Sequence, residues 1–319
     1  MIIFSCKTMK QLADKIYAEL CALSARRLNI EPRPRLGKIN WDEFEKSWPN
    51  YSIENPEGTV RGKDVVFIMH MPAPEDVFKQ LAVACAFPRY LAKSLKIVLP
   101  LFPTGTMERI QKSGGIATAK TLARELSQVP LTCTGPVELM MFDLHASVER
   151  FYFSDNILPD PQSALPILKE RIRSMDGVAI TFPDEGSYKR FGQEFEEYPM
   201  ILCYKKRRGA DRKVTIVEGD PAGKNVLIVD DLSLTAGTMV ECAKAVRIFG
   251  PLSISGYVTH PVFHDDSWQK IINCGIFTKF WVTDSCPFTT NTVFDPFRIN
   301  SSLFEVLSLA PTIAKILAS

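Results

Sequence analysis

No stretch of this 319-residue sequence approaches the roughly 20 consecutive apolar residues that a membrane-spanning helix needs, so no membrane partner is expected. Excess charge is also missing. The 38 Lys and Arg against 36 Asp and Glu leave a formal net charge of +2, which gives no reason to expect nucleic acid. Any charge that matters must be local. The eight cysteines are scattered, with no Cys-x-x-Cys pair and no zinc-type spacing. They read as small buried hydrophobes in a reducing compartment. Met1-Ile2-Ile3-Phe4-Ser5 lacks the basic start and apolar stretch of a secretory signal, so the expected setting is the cytoplasm. Low-complexity segments are absent as well.

What remains is an ordinary globular composition, 46% hydrophobic and 23% charged, on a chain long enough for two domains. Short apolar runs alternate with amphipathic stretches, the pattern of an α/β fold whose mostly parallel sheets are flanked by helices. Strands are expected at Val65–Met69, Lys96–Pro100, Val137–Phe142, Val178–Phe182, Met200–Tyr204, Lys213–Val217, Asn225–Val229 and Ser253–Val258. Helices are expected behind Thr8 as N-cap, over Pro74–Ser94, over Ala117–Leu126, behind Ser187 as N-cap, and over Thr238–Phe249. Leu303, Val306, Leu307, Ala310, Ile313, Ala314 and Leu317 recur at helical spacing, with Pro311 splitting them into two short helices. The Pro-, Asp- and Ser-rich stretch Asn156–Pro166 is the expected boundary between halves. This divides the chain into 1–157, joined by the C-terminal segment 301–319, and 158–300.

One segment carries chemistry. Val226-Leu227-Ile228-Val229 is an apolar run that meets Asp230 and Asp231, after which Leu232-Ser233-Leu234-Thr235-Ala236-Gly237-Thr238 opens a helix. Backbone N–H groups at such a loop form an anion site. Ala236 and Gly237 let the backbone approach a phosphate, and Thr235 and Thr238 add hydroxyl donors. Paired carboxylates suit the vicinal hydroxyls of a ribose, and the carboxyl end of a parallel strand is where open α/β sheets bind ligands. Gly219-Asp220-Pro221-Ala222-Gly223-Lys224 superficially resembles a Walker A loop. It is one residue short and precedes its strand, so it reads as a turn.

Val229–Thr238 resembles the phosphoribosyl pyrophosphate-binding motif shared by phosphoribosyltransferases and phosphoribosyl pyrophosphate synthetases. The rest of the chain resembles the synthetases. Phe4-Ser5 with Leu12, Ala13 and Ile16, Val60–Val65, Asp143-Leu144-His145-Ala146, and Phe182–Gly186 with Lys189 and Arg190 all match segments of that family. The likeness is strongest to the plant-type, phosphate-independent class II group, through Leu99–Arg109 and His145–Phe153. Thr106-Met107-Glu108 stands where ordinary synthetases carry Arg-Gln-Asp, Leu234 stands for an acid, and Pro261 for a glycine.

The resemblance implies two phosphoribosyltransferase-like domains, a homo-oligomer, and transfer of pyrophosphate from ATP to ribose 5-phosphate with Mg²⁺. It implies that Asp230, Asp231, Thr235, Ala236, Gly237 and Thr238 hold ribose 5-phosphate, and that Asp184, Glu185, Gly186 and Ser187 hold pyrophosphate. Phe44, Arg109 and His145 would meet ATP, with Phe44 acting across a subunit interface, and His145 and Asp184 would meet the metal. Lys205 and Arg207 would be the catalytic pair on a mobile cationic loop loosened by Gly209, with Lys206 and Arg208 the alternative register. His260 and His264 have a metal-like spacing without a third ligand, and are read as structural. The alternatives are a type I phosphoribosyltransferase and a regulatory subunit that keeps the fold without turnover.

Overall fold

The structure is a computed structural model that describes residues 1–26, 33–45, 48–110, 112–208, 211–287 and 302–319, without the side chains of 26, 205–208 and 211–213. Two compact units emerge, Met1–Ser163 with Leu309–Ser319, and Ala164–Ser308.

The first unit runs β1 (Ile2–Ser5), α1 (Lys10–Arg26), β2 (Arg35–Leu36), a hairpin of β3 (Ile39–Glu43) and β4 (Pro49–Ile53), then α2 (Pro56–Thr59) and β5 (Asp64–Ile68). It continues with α3 (Pro74–Arg89), β6 (Ser94–Val98), α4 (Thr118–Leu126), β7 (Val137–Phe142) and β8 (Ile157–Gln162). Its six-stranded sheet has the order β2-β1-β5-β6-β7-β8 and is parallel throughout. The second unit comprises α5 (Leu165–Ile172), β9 (Val178–Phe182), α6 (Glu185–Phe191), β10 (Met200–Arg208), β11 (Asp211–Glu218), β12 (Asn225–Ser233) and α7 (Gly237–Arg247). After these come β13 (Ser253–Pro261), α8 (Gln269–Asn273), β14 (Lys279–Thr283) and β15 (Phe304–Leu307). Finally, α9 (Ala310–Leu317) packs on α1 of the first unit. The second sheet has the order β11-β10-β9-β12-β13-β14-β15, and only β11 is antiparallel. Without β11, the two sheets share one order, with the second strand outside the first and the later strands following on the other side.

That order explains the burial. Strands of a parallel sheet covered on both faces must be apolar at every position. Along β12, Val226 and Ile228 enter one core with Met239, Val258 and Phe280, while Leu227 and Val229 enter the opposite one with Phe182, Tyr257 and Trp281. The corresponding core of the first unit gathers Phe4, Phe67, Phe87, Ile97 and Leu139. A Cβ built on Gly256 would lie 2.4 Å from the Phe280 ring, so the glycine gives that ring its space.

Several expected elements differ. Thr8 does not cap α1, because a 3₁₀ turn over Lys7–Met9 precedes it. The Thr8 hydroxyl lies 3.3 Å from Cys6 Sγ and 3.4 Å from His70 Nδ1. Helix α3 stops at Arg89 rather than Ser94, since Leu91 turns left-handed at φ 59°. The cap of α6 is Asp184, not Ser187. Asp184 Oδ1 accepts the Ser187 N–H at 3.0 Å and the Ser187 side chain returns to Asp184, a reciprocal box that places the serine inside the first turn. That helix passes at Gly192 into a 3₁₀ turn over Gly192–Phe195.

Within the expected boundary stretch, Ile157–Gln162 form β8 despite Pro159 and Pro161, because an edge strand has one row of N–H groups without ladder partners. The closing segment is not two helices. Phe304–Leu307 extend the second sheet beside β14, and Pro311 lies at the start of α9, where a missing N–H costs nothing.

Candidate functional site

In a sheet of this order the connections reverse direction between the first and third strands, opening a crevice at their carboxyl ends. In the second unit those strands are β9 and β12. The turn after β9 carries Asp184–Ser187, and the end of β12 carries Asp230 and Asp231 ahead of the loop into α7. Strand β12 extends to Ser233, beyond the expected end at Val229, because β13 pairs with it as far as Ser233↔Pro261. The acids are therefore strand residues and are buried, Asp230 at 7% and Asp231 at 2% exposure.

Two buried carboxylates side by side need compensation. Arg190 of α6 supplies it, with Nη2 2.8 Å from Asp231 Oδ1 and 3.8 Å from Asp230 Oδ1. Asp230 Oδ1 also accepts the Asp231 N–H at 3.0 Å. Burial pushes the Asp230 carboxyl well above its ordinary range, helped by the charges of Asp231 and Asp184 and opposed by Arg190. Asp184 thus joins the acid pair electrostatically.

The loop that follows is held from behind. Its Ser233 and Leu234 carbonyls accept the N–H groups of Phe263 and His264 at 3.0 and 2.8 Å, and the Thr235 carbonyl accepts from Lys270 Nζ at 3.3 Å. Ala236 occupies the cap position of α7 in left-handed backbone, φ 57°, and offers no capping side chain. The first-turn N–H groups of a helix have no intrahelical acceptor. Gly237 and Thr238 are half-buried there, and Thr235 is exposed.

The remaining expected residues fall elsewhere. Lys205–Arg208 are not on a loop but on β10, in register with Val214, Lys213, Arg212 and Asp211 of β11. Their side chains, and Gly209, lie outside the described residues. In the first unit, Gly105 after β6 and His145 after β7 meet, a Cβ on Gly105 being 3.2 Å from His145 Cβ and 3.2 Å from Glu149 Oε1. Arg109 is exposed and ion-paired with Glu108 at 3.1 Å. Phe44, in the β3–β4 turn, is 59% exposed. His260 contacts Ser285 Oγ at 3.0 Å within the core, consistent with a structural residue. Of the cysteines, Cys6, Cys203, Cys242 and Cys286 are buried, three are half-buried, and Cys133 is exposed.

Sequence reasoning missed the Arg190 bridge, the buried Glu149, and a cavity of about 250 Å³ at the first unit's own switch point, where Lys7, Trp41, Glu43, Asp76 and Lys79 converge. Among the described residues no group of three or more His, Cys, Asp or Glu is placed to hold a metal by itself, and no helix is long and apolar enough to cross a membrane.

Comparison with known proteins gives the family. Residues 1–129 match the N-terminal domain of ribose phosphate pyrophosphokinase, and residues 162–276 match the phosphoribosyl transferase domain. Ribose-phosphate pyrophosphokinase 3, mitochondrial, of Spinacia oleracea is 43% identical over 98% of this chain and 75% of that protein. The chain belongs to the ribose-phosphate pyrophosphokinase family. Ribose-phosphate pyrophosphokinase 4 of Arabidopsis thaliana is 38% identical over 98% of this chain and 90% of its own length. The crystal structure of phosphoribosylpyrophosphate synthetase from Mycobacterium smegmatis shares the fold, with a TM-score of 0.79 at 21% identity over 99% of this chain and 97% of that one. The match of the N-terminal domain accounts for the half of the chain that a phosphoribosyltransferase would leave unexplained. The chain is thus an enzyme of the pyrophosphokinase family.

Proposed function

We propose that this protein moves the β,γ-pyrophosphoryl group of ATP onto the 1-hydroxyl of ribose 5-phosphate, releasing AMP and phosphoribosyl pyrophosphate. The observation that carries this reading is the convergence of Asp184, Asp230 and Asp231 with the α7 loop at the second unit's switch point. The 5-phosphate meets the N–H groups of Gly237 and Thr238 and the hydroxyls of Thr235 and Thr238, while Ala236 lets the backbone approach. The acid pair accepts the ribose hydroxyls, which orients the 1-hydroxyl for in-line attack on the β-phosphorus. Ser187 is committed to the Asp184 box, so the exposed Glu185-Gly186 turn is what remains to face the pyrophosphate.

Residues two apart on a strand share a face. Lys205 and Arg207 therefore belong to one face of the β10–β11 hairpin, and Lys206 and Arg208 to the other. A paired cation set stabilises charge developing on the transferred group, and Lys205 with Arg207 fills that role in our reading. His145, with Arg109 on the neighbouring loop, receives ATP in the first unit, and Phe44 reaches the adenine of a neighbouring subunit. Exposure of Phe44, and of Trp48 stacked edge-on to exposed Phe78 at 6.0 Å, supports a homo-oligomer.

Carboxylate oxygens suit Mg²⁺, which keeps waters and binds through one or two acids plus substrate phosphates. Asp184 commits Oδ1 to the cap, so its second oxygen fits that donor set. Bound there, Mg²⁺ supplies neutralisation of the triphosphate charge. A cytoplasmic setting is our reading of the composition. The relatives above carry other labels in part, mitochondrial for that of Spinacia oleracea.

The test is incubation of the purified protein with ATP, ribose 5-phosphate and Mg²⁺ without added phosphate, following AMP and phosphoribosyl pyrophosphate together. Equal amounts of both, lost in Lys205→Ala, are expected. Binding of ribose 5-phosphate with no product, even after phosphate is added, would favour a regulatory subunit instead.

A further inference from the structure

Arg190 belongs to the family-like segment after β9 but is given no role above, yet it is a cation that reaches both acids of the pair. It sits on α6, one helical turn beyond Gly186, so the two positions stack on one face. A Cβ on Gly186 would stand 3.8 and 3.9 Å from the Arg190 guanidinium nitrogens and 3.2 Å from Asp184 Oδ1. The guanidinium therefore passes over the bare backbone of the Glu185-Gly186 turn before reaching Asp231 at 2.8 Å. Its side chain is only 19% exposed and that of Asp231 3%, so the contact is made away from bulk water, where it is not screened as a surface pair would be. Asp230 stands at the longer distance of 3.8 Å.

We infer that Arg190 is a positioning residue: it fixes Asp231 and ties it to the Asp184–Ser187 turn, which holds the acid pair where it accepts the sugar hydroxyls. The bridge joins the turn after β9 to the end of β12, the two segments that must hold the two reacting groups in line. It acts through Asp231 and touches no substrate. Lysine cannot reproduce it fully, because a single ammonium lacks the planar fork that lies along the turn and reaches a carboxylate at its end. The inference deepens the proposed function and rests on that reading of the acid pair.

A double-variant cycle tests it. Initial rates for ribose 5-phosphate and for ATP would be measured with the parent enzyme, Arg190→Gln, Asp231→Asn and the double variant, and ribose 5-phosphate binding would be measured by calorimetry in parallel. Arg190→Gln is expected to raise KM for ribose 5-phosphate at least tenfold, about 1.4 kcal/mol, while KM for ATP stays within about twofold. The double variant should bind no worse than Asp231→Asn alone, since the carboxylate that the arginine holds at 2.8 Å is already lost. Arg190→Lys should fall between the parent and Arg190→Gln, and it serves as the folded comparison if the glutamine variant is unstable. Effects that simply add in the double variant, or equal rises in both KM values, overturn the inference. So does a lysine variant that matches the parent. If the parent makes no phosphoribosyl pyrophosphate, the proposed function fails, yet the calorimetric cycle still decides the role of Arg190.

Discussion

His70 gives the first unit a pH-dependent stability whose size can be worked out. The residue follows β5, is 7% exposed, and has its backbone clamped by Gln80, which accepts the His70 N–H at 3.0 Å and donates to its carbonyl. Burial alone lowers the imidazole from 6.5 to about 4. Between those values the unfolded chain binds a proton that the folded one refuses, so stability rises with pH across that window and is lost as pH falls. A gap of about 2.5 pH units at 1.36 kcal/mol each gives a full loss of about 3.4 kcal/mol, of which about 3 kcal/mol is gone by pH 4. At pH 5.5 the same relation gives about 1.4 kcal/mol.

The assay is native-state hydrogen exchange of the β5 amides, which reports opening of the first unit alone, corrected for intrinsic exchange and compared at pH 7.5 and 5.5. In His70→Gln the side chain at position 70 is uncharged at both pH values, so the parent should lose about 1 kcal/mol more than this variant over the interval. Equal losses in the two proteins would refute the reasoning, whatever the absolute stability of the variant.

Gly256→Ala should destabilise the second unit by about 1–3 kcal/mol in urea unfolding, because its Cβ collides at 2.4 Å with a Phe280 ring that has nowhere to go. Asp184→Ala should cost about 1 kcal/mol through loss of the α6 cap, with Asp184→Asn recovering most of that stability; a full loss in Asp184→Asn as well would remove the capping account.

How much of this could be read from residues alone depends on how evenly each segment is buried. Strand β9 was legible to its ends because all five of its residues are buried, and β7 because only the exposed Glu138 near its start interrupts a buried apolar run. The β3–β4 hairpin was not, since Asn40, Asp42 and Glu43 alternate with partly covered Trp41 and Tyr51, a mixture that reads as loop. For β8 the prolines gave a true local signal whose meaning depended on being at an edge, a property of the sheet and not of the segment. Strand β14 held a readable apolar run in Phe280-Trp281-Val282, and that continuous run was the signal overlooked. In the same way, β15 was lost to a helical spacing that spans a strand and a helix.

The site divides along the same line. The motif Asp230–Thr238 is local, and so is the turn Asp184–Ser187, and each was visible as a pattern. Their meeting, and the bridge at Arg190, join residues 41 positions apart, and no spacing rule encodes a pairing that exists only because β9 and β12 are neighbours. The serine and aspartate at the start of α6 were confused for a related reason. Both residue types cap helices, and which one does so is decided by where the strand before it releases the chain. Here β9 ends at Phe182 and Pro183 follows, so the first residue free to turn is Asp184. Local chemistry named the parts of this site, and strand adjacency decided which of them touch.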